Sequence, residues 1–321
     1  IEKNEGADIL GKLVMTADLI VENFKPGYLE SRGLDFTILH SINPGLIMTS
    51  ITPFGQFGPY SGYKGEEIVS YGMGGVMAIS GTADREPLKH GGEQSQYEAG
   101  FNGAMSSAFS LFVRDLTGEG QHIDISIQEV VNSTMVINQP YYSWTGAVQG
   151  RRSPKGTMFG NVMPCEDGFF SSQPGGGATW DSLAEFYERA ELKCDQFANP
   201  EQRVQHGAAL DEIIVESTKH RSMEELFKTA SEKHRMLFGI VQTAEDLANC
   251  PQLEARDFYQ KVNHPSIGSL QVPFKLFNMT ETEPKYRMPA PLLGQHNEEI
   301  YSEILECPED SISKLKKLHV I

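Results

Sequence analysis

Two short apolar runs, each preceded by a helix-like pattern, constrain the fold of this chain more than any other feature. Residues 7–16 repeat apolar side chains at helical spacing, and an apolar run lies within Ala17–Phe24. A second helix-like stretch ends near Ile42, and Leu46–Ile51, which is mostly apolar, is predicted as another buried strand. Short apolar runs that alternate with helices are typical of strands in a parallel sheet covered on both faces. The order predicts an α/β fold of the doubly wound, Rossmann-like type.

The pattern changes near residue 150. Before that point, residues 97–114 predict a long buried helix and residues 122–127 alternate like a strand. The stretch Gly150–Gly156 is rich in Gly, Pro and basic residues, which is typical of a linker. Beyond it the sequence predicts a hairpin at 162–172, a glycine loop at Gly175–Gly177, and amphipathic helices near 180–193 and 223–234. We therefore predict a large α/β domain formed by residues 1–150 and 286–321, and a small α+β domain at 151–285.

The charge and cysteine content exclude several functional classes. The 321 residues include 27 Lys+Arg and 43 Asp+Glu, for a formal net charge of −16. Nucleic acids and anionic membranes need basic surface, so neither is expected as a partner. No apolar run is long enough to predict a membrane span. The four cysteines are widely spaced and the histidines show no metal-ligand spacing, so we expect no metal site and a reducing, cytoplasmic location.

Five segments carry a family resemblance. Ala17–Gly27 reads ADLIVENFKPG, and Thr117–Ser126 reads TGEGQHIDIS. Together with three further stretches in the same order, they resemble the class III CoA-transferases, the family of formyl-CoA transferase, carnitine CoA-transferase and α-methylacyl-CoA racemase. The further stretches are Asn43–Tyr60, Cys250–Gly268 and Arg287–Ile300.

The resemblance implies more about the fold than the periodicity does. Members of this family form dimers whose two chains interlock like links, so an interlocked dimer is expected here. The family's first βα unit has no counterpart in this sequence, so we expect the N-terminal part of the large domain to be missing. The implied substrates are acyl-CoA, coenzyme A and a carboxylic acid, with no covalently bound cofactor.

The catalytic position departs from the family pattern. In the family an aspartate carboxylate attacks the acyl-CoA thioester, which is covalent catalysis by a carboxylate. Counting back from Gln121 in the glycine turn places Gln96 at that position. A glutamine amide is a poor nucleophile and also cannot serve as the acid/base that the racemases need. The chain is therefore expected to lack the catalytic residue.

Two nearby glutamates are alternative nucleophiles. Glu93 lies in the loop before the helix, whose course the sequence does not define. Glu98 lies two residues after Gln96, and at about 100° per residue the two side chains diverge by about 200°. Glu98 is therefore expected to point away from the position of Gln96.

The resemblance also implies residues that bind CoA. Asn23 and Phe24 match the family's CoA-contacting pair, and they follow a strand, where doubly wound sheets bind ligands. Tyr63 and Lys64 match a region that contacts the CoA nucleotide, and Glu67 matches an acidic residue beside the active site. Asp124 is expected to be a structural hydrogen-bond acceptor. Without the resemblance, Phe24 would be read as a core residue and Lys64 as a solvated cation.

Three functions remain open from the sequence. The first is the non-catalytic subunit of a heteromeric CoA-transferase whose homologous partner keeps the aspartate, as in succinyl-CoA:benzylsuccinate CoA-transferase of aromatic degradation. The second is an active acyl-CoA transferase or racemase-like enzyme that uses Glu93 or Glu98. The third is a non-catalytic homodimer that binds CoA. The acyl group is not specified by any motif.

Overall fold

The computed structural model describes residues 1–151, 162–173 and 178–321. The chain divides into two compact units, one formed by Ile1–Arg152 with Pro291–Ile321 and the other by Ser153–Ala290. The predicted linker at 150–156 and the glycine loop at Gly175–Gly177 fall mostly or wholly outside the described residues. Among the described residues, no helix has the length and apolar character needed to cross a membrane.

A parallel sheet organises the first unit. Its three strands, β1 (Leu19–Glu22), β2 (Ile47–Thr52) and β3 (His122–Ser126), lie in the order β1-β2-β3. Helix α1 (Asn4–Val14) precedes β1, and α2 (Phe36–Ile42) connects β1 to β2. Strand β2 lies in the middle and is almost wholly buried. The predicted α/β fold with a parallel sheet is confirmed.

The remaining helices of the first unit follow β2 in the sequence. A cluster of buried apolar side chains from α3, α4 and α5 includes Tyr71, Ala99 and Val131. The elements are α3 (Glu67–Met73), α4 (Gln94–Thr117), α5 (Ile127–Ser133) and α6 (Asn138–Thr145), with short 3-10 turns at Glu30–Arg32 and Val76–Ile79.

Helix α4 packs on the sheet through its small side chains. Its buried residues are Ser95, Ala99, Gly103, Ser107 and Ser110. A Cβ atom at Gly103 would lie 2.9 Å from Ile51 Cδ1, so the helix lies close against β2. The hydroxyls of Ser107 and Thr49 are 2.7 Å apart across this contact.

The large side chains of α4 lie on its other side. Phe101, Phe109 and Phe112 are 62%, 64% and 65% exposed. The prediction of a long helix is therefore right in position, but the expectation that it is buried is wrong. The face of α4 that carries small side chains lies so close to the sheet that no aromatic ring fits between them. We call the exposed set Tyr97, Phe101, Met105, Phe109, Phe112 and Leu116 the outer stripe of α4.

The second unit has a mixed architecture. Strands β4 (Val162–Pro164), β5 (Phe169–Gln173) and β6 (Leu237–Ile240) form an antiparallel sheet, so the predicted hairpin at 162–172 is present. The core on this sheet includes Phe170, Phe186 and Tyr187. A separate hairpin in the proline-dotted segment was not predicted. It consists of β7 (Tyr259–His264) and β8 (Gly268–Pro273).

The helices of the second unit are shorter than the sequence pattern predicts. The helix expected at 180–193 ends at Phe186, because the backbone turns at Glu188, where φ is +54°. The helix expected at 223–234 is α-helical only to Lys228 and continues as a π-helical turn. The helices are α7 (Trp180–Phe186), α8 (Pro200–Gln205), α9 (Gly207–Thr218), α10 (Met223–Lys228), α11 (Ala244–Ala248) and α12 (Pro251–Ala255). The chain ends with α13 (Glu309–Lys317) in the first unit.

Candidate functional site

A cleft opens at the carboxyl ends of β1 and β2. Open parallel sheets bind ligands at this edge, where the loops leave the strands. The cleft has a volume of about 550 Å³, and its walls come from the ends of two strands, the loop before α3 and the first turns of α4. The lining residues are Val21, Glu22, Asn23, Ile51, Pro53, Gly65, Glu66, Glu93, Gln96, Gly100 and Ile127. We call this cavity the Gln96 cleft.

Gln96 lies in the first turn of α4 and is exposed to the Gln96 cleft. Asn23 reaches the same cleft from the end of β1, and Glu93 reaches it from the N-cap position of α4. The structure therefore brings together three residues that the sequence singled out. Two of them carry amides and one carries a carboxylate.

Glu67 fixes the backbone beside Gln96. It lies at the start of α3 and is 5% exposed. One of its carboxylate oxygens accepts the backbone N–H of Ser95 at 3.0 Å, and the other accepts the hydroxyl of Ser95. Because Ser95 directly precedes Gln96, the position of residue 96 depends on this anchor and not on its own side chain. Glu67 is buried behind the cleft and does not line it.

Glu98 lies away from the cleft, near Tyr71 and His90. One oxygen of its carboxyl group is buried and has no hydrogen-bond partner among the described residues. Burial raises the pKa of Glu98, His90 opposes this rise, and the charge of Glu67 adds to it. Burial and the charges of Glu98 and Glu67 also raise the pKa of Tyr71. The Tyr71 hydroxyl is 3.4 Å from His90 Nδ1.

A second cavity of about 380 Å³ lies beside the first. Phe24 and Lys25 line it, and the backbone N–H of Phe24 donates to Glu22 Oε2 at 2.7 Å. The Phe24 ring is 40% exposed and stacks on Tyr28 at 4.9 Å, so it is not a core residue. Elsewhere in this cavity Ser50 Oγ and His122 Nε2 are 2.8 Å apart.

Tyr63 and Lys64 lie outside both cavities. Tyr63 packs with Phe54 and Tyr60 in the loop after β2, and it remains largely exposed. Among the residues that the structure describes, the lining of the two cavities includes neither Tyr63 nor Lys64. Asp124 accepts the backbone N–H of Gln56 with both carboxylate oxygens at 3.0 Å, which is a structural contact.

Two lining carboxylates were missed from the sequence. Glu22 is 9% exposed and belongs to the same motif as Asn23 and Phe24, so its place in that motif was an available signal. Glu66 is the N-cap residue of α3, and only the fold of its loop brings it to the cleft. Within residues 1–151, 162–173 and 178–321, no cluster of His, Cys, Asp or Glu has the arrangement of a metal site.

The chemistry available in the cleft follows from these groups. The amides of Asn23 and Gln96 donate and accept hydrogen bonds but do not form an acyl intermediate. Glu93 is a carboxylate in the same cleft. The site can therefore bind a polar group through amides, and Glu93 is the lining carboxylate nearest in sequence to Gln96.

Comparison with known proteins gives a consistent set of relatives. The family model described as CoA-transferase family III matches residues 1–297. Succinyl-CoA--D-citramalate CoA-transferase of Chloroflexus aurantiacus is 32% identical to this chain. The alignment covers 99% of this chain and 80% of that enzyme. The BbsE subunit of succinyl-CoA:(R)-benzylsuccinate CoA-transferase from Thauera aromatica is 25% identical, over 100% of this chain and 80% of its own length.

The fold has a counterpart among solved structures. A CAIB/BAIF family protein from Brucella suis superposes with a TM-score of 0.83 at 28% sequence identity. The superposition covers 94% of this chain and 79% of that protein.

Proposed function

The chain belongs to CoA-transferase family III, and on that premise we propose that it is the non-nucleophilic subunit of a heteromeric CoA-transferase. The enzyme moves CoA from an acyl-CoA donor, such as succinyl-CoA, to a carboxylic acid. The observation that carries this proposal is the amide of Gln96 in the cleft. The spacing from the glycine turn assigns the family's reacting carboxylate to this position.

The chemistry explains why this substitution matters. In the family's reaction a carboxylate oxygen attacks the thioester carbonyl carbon, the C–S bond breaks, and the thiolate leaves with its electron pair. The CoA thiolate then attacks the enzyme's own carbonyl carbon in this mixed anhydride, which releases the donor's acid as a carboxylate and leaves an enzyme-bound CoA thioester. The acceptor carboxylate reacts with that thioester through a second mixed anhydride, so the acceptor leaves as its CoA thioester and the enzyme carboxylate is restored. The Gln96 amide has no anionic oxygen to start this sequence. In the proposed complex the aspartate of a homologous partner performs it.

The outer stripe of α4 supports the presence of a partner. Exposed apolar patches on a chain are typical of surfaces that another chain covers. Relatives of this chain include named subunits of multi-subunit CoA-transferases, such as the alpha subunit of succinyl-CoA--L-malate CoA-transferase and BbsE. In the proposed assembly the two homologous chains interlock, and the outer stripe lies in their interface.

The proposal also assigns roles along the chain. The large domain, at 1–150 and 286–321, binds the CoA moiety, and Asn23, Phe24, Tyr63 and Lys64 contact it. The complex works in the cytoplasm, where CoA thioesters and free carboxylic acids are available.

The decisive experiment restores the carboxylate. The chain is expressed alone, and CoA transfer from succinyl-CoA and from butyryl-CoA to a panel of carboxylic acids is measured for the wild type and Gln96→Asp. We expect no turnover by the wild type and measurable turnover by Gln96→Asp. Native mass spectrometry of the complex from its source is expected to show a homologous chain that carries the aspartate. A wild-type homodimer that turns over contradicts the proposal.

One observation favours a second candidate function, an active enzyme that uses Glu93. Glu93 lines the same cleft as Gln96, whereas Glu98 faces Tyr71 and His90. If Glu93 is the nucleophile, the wild-type chain alone transfers CoA and Glu93→Gln abolishes transfer. Glu98→Gln is the matched control, because it removes a carboxyl group that does not reach the cleft.

A further inference from the structure

The Gln96 cleft is unusual in its charge. Three carboxylates line it, from Glu22, Glu66 and Glu93. Within the described parts of the chain, its lining includes no Lys, Arg or His. The neighbouring cavity also has three acidic lining residues, Glu22, Glu30 and Asp35, but Lys25 and His122 line it as well. Glu22 is nearly buried, whereas Glu66 and Glu93 are exposed to solvent. Water and salt weaken the repulsion from the two exposed carboxylates, but three like charges around one cleft still disfavour an anionic group at close range.

The rest of the described lining offers no positive charge to balance a negatively charged group on a ligand. Asn23 and Gln96 contribute neutral amides. The other lining residues are apolar or glycine, namely Val21, Ile51, Pro53, Gly65, Gly100 and Ile127. A carboxylate held in a site needs cations or several strong hydrogen-bond donors to replace its water. These walls instead suit an acyl chain without charge.

Helix α4 does not reverse this preference. The N-terminus of a long helix attracts anions through its free N–H groups and its dipole. Here Glu67 already accepts the N–H of Ser95, and Glu93 lies at the N-cap position. Two carboxylates of the chain itself therefore offset the positive end of α4, which leaves less attraction for a ligand anion.

We propose that the Gln96 cleft binds acyl-CoA whose acyl group is uncharged, and discriminates against dicarboxylic acyl groups through Glu66 and Glu93. This inference rests on the proposed function, because it takes the cleft to be an acyl-CoA site. It distinguishes the two clefts of the proposed complex. Donor and acceptor both react at the cleft that carries the partner's aspartate, and this chain's cleft disfavours a dicarboxylic acyl group.

The test compares two thioesters of equal chain length on the full chain. Binding of butyryl-CoA, succinyl-CoA and free CoA to the chain alone is measured by isothermal titration calorimetry. We expect the chain to bind butyryl-CoA at least about tenfold more tightly than succinyl-CoA, which is about 1.4 kcal/mol.

Substitution identifies the residues responsible. The double variant Glu66→Gln with Glu93→Gln is expected to tighten succinyl-CoA binding about tenfold and to leave butyryl-CoA binding within about twofold. Glu86→Gln is the matched control, because Glu86 is an exposed carboxylate of the same unit that lines neither cavity. The control is expected to change neither affinity.

The outcomes separate this inference from the proposed function. Equal binding of butyryl-CoA and succinyl-CoA by the wild type overturns the inference and leaves the subunit proposal standing. A preference for butyryl-CoA that survives in the double variant overturns the role of Glu66 and Glu93. If none of the three ligands binds, both the inference and the proposed function are overturned, because the chain then has no acyl-CoA site.

Discussion

The two units use their large apolar side chains in opposite ways. In the second unit, Phe170, Phe186 and Tyr187 are almost completely buried, and Phe170 stacks on Phe238 at 5.0 Å. In the first unit, the longest helix buries glycine, alanine and serine against the sheet and exposes its phenylalanines. The second unit therefore completes its own core. The first unit leaves apolar surface exposed on α4 and has carboxylate and amide side chains in the lining of its cleft.

This difference indicates where changes affect folding and where they affect assembly. A large side chain removed from the second unit leaves a cavity, because the surrounding core cannot fully collapse. A large side chain removed from the outer stripe of α4 leaves no cavity within the chain. The predictions below test this contrast, beginning with the largest expected effect on stability.

The largest effect is expected at Phe170. Phe170→Ala removes a buried ring from the middle strand of the second unit's sheet and is expected to cost about 3–5 kcal/mol of unfolding free energy. Phe169→Ala is the matched control, because Phe169 is on the same strand and is 51% exposed. Urea denaturation followed by circular dichroism measures both. Equal losses at the two positions would mean that the core is not centred on Phe170.

A smaller loss is expected where α4 meets the sheet. Gly103→Leu places a side chain where even a Cβ atom meets Ile51 at 2.9 Å, and overpacking of this kind costs about 1–3 kcal/mol. Gly11→Leu in α1 is the control, because a Cβ atom there meets nothing within 4 Å. Thermal unfolding compares the two variants. A Gly103 variant as stable as the control would contradict the close packing of α4.

The buried carboxyl group of Glu98 is expected to make stability depend on pH. Because burial raises its pKa in the folded state, the folded chain binds more protons than the unfolded chain between the two pKa values. Stability therefore falls as pH rises from the ordinary range of glutamate through the raised pKa. Glu98→Gln is expected to remove this dependence, with an effect of about 1 kcal/mol or less, because water partly screens the group.

Urea denaturation at a series of pH values measures the effect of Glu98. The wild type and the Gln variant are expected to converge at low pH, where the carboxyl group is protonated in both states. Parallel curves at all pH values would show that Glu98 titrates with the same pKa in the folded and unfolded chain.

The smallest effect on the stability of the chain alone is expected at the outer stripe. The double variant Phe109→Ser with Phe112→Ser changes exposed rings and is expected to alter unfolding free energy by about 0.5 kcal/mol or less. The same variant is expected to weaken association with the partner, measured by native mass spectrometry. Unchanged association would show that the outer stripe is not part of the proposed interface.

The sequence predicted the first unit's framework because its signals are local. Strand β2 contains Ile47, Met48 and Ile51 in a short segment rich in β-branched residues, and Asp35 caps α2, because its side chain accepts the N–H of Ile38. The orientation of α4 was not predictable in the same way. Its apolar residues form a stripe that normally indicates a buried face. Its opposite face, with Gly103 and the serines, makes the tighter contact with the sheet.

The hairpin of β7 and β8 was missed because prolines interrupt its sequence. Pro265 lies in the turn and Pro273 ends β8, and prolines within a run argue against a strand. In the candidate site, the motif order located Gln96 and Asn23. The position of Glu66 in the cleft depends on the path of the loop before α3, and no local sequence pattern specifies that path. The CoA contacts assigned to Tyr63 and Lys64 stay predictions.

The anchor between Glu67 and Ser95 has a consequence for how this chain can change over generations. Because the backbone at position 96 is fixed from behind, substitutions there alter chemistry without first disturbing the fold. In the genetic code, glutamine becomes glutamate by one base change and aspartate by two. A carboxylate at position 96 is therefore one or two base changes away. Whether natural variants of this chain carry it would show whether a second nucleophile in the proposed assembly is tolerated.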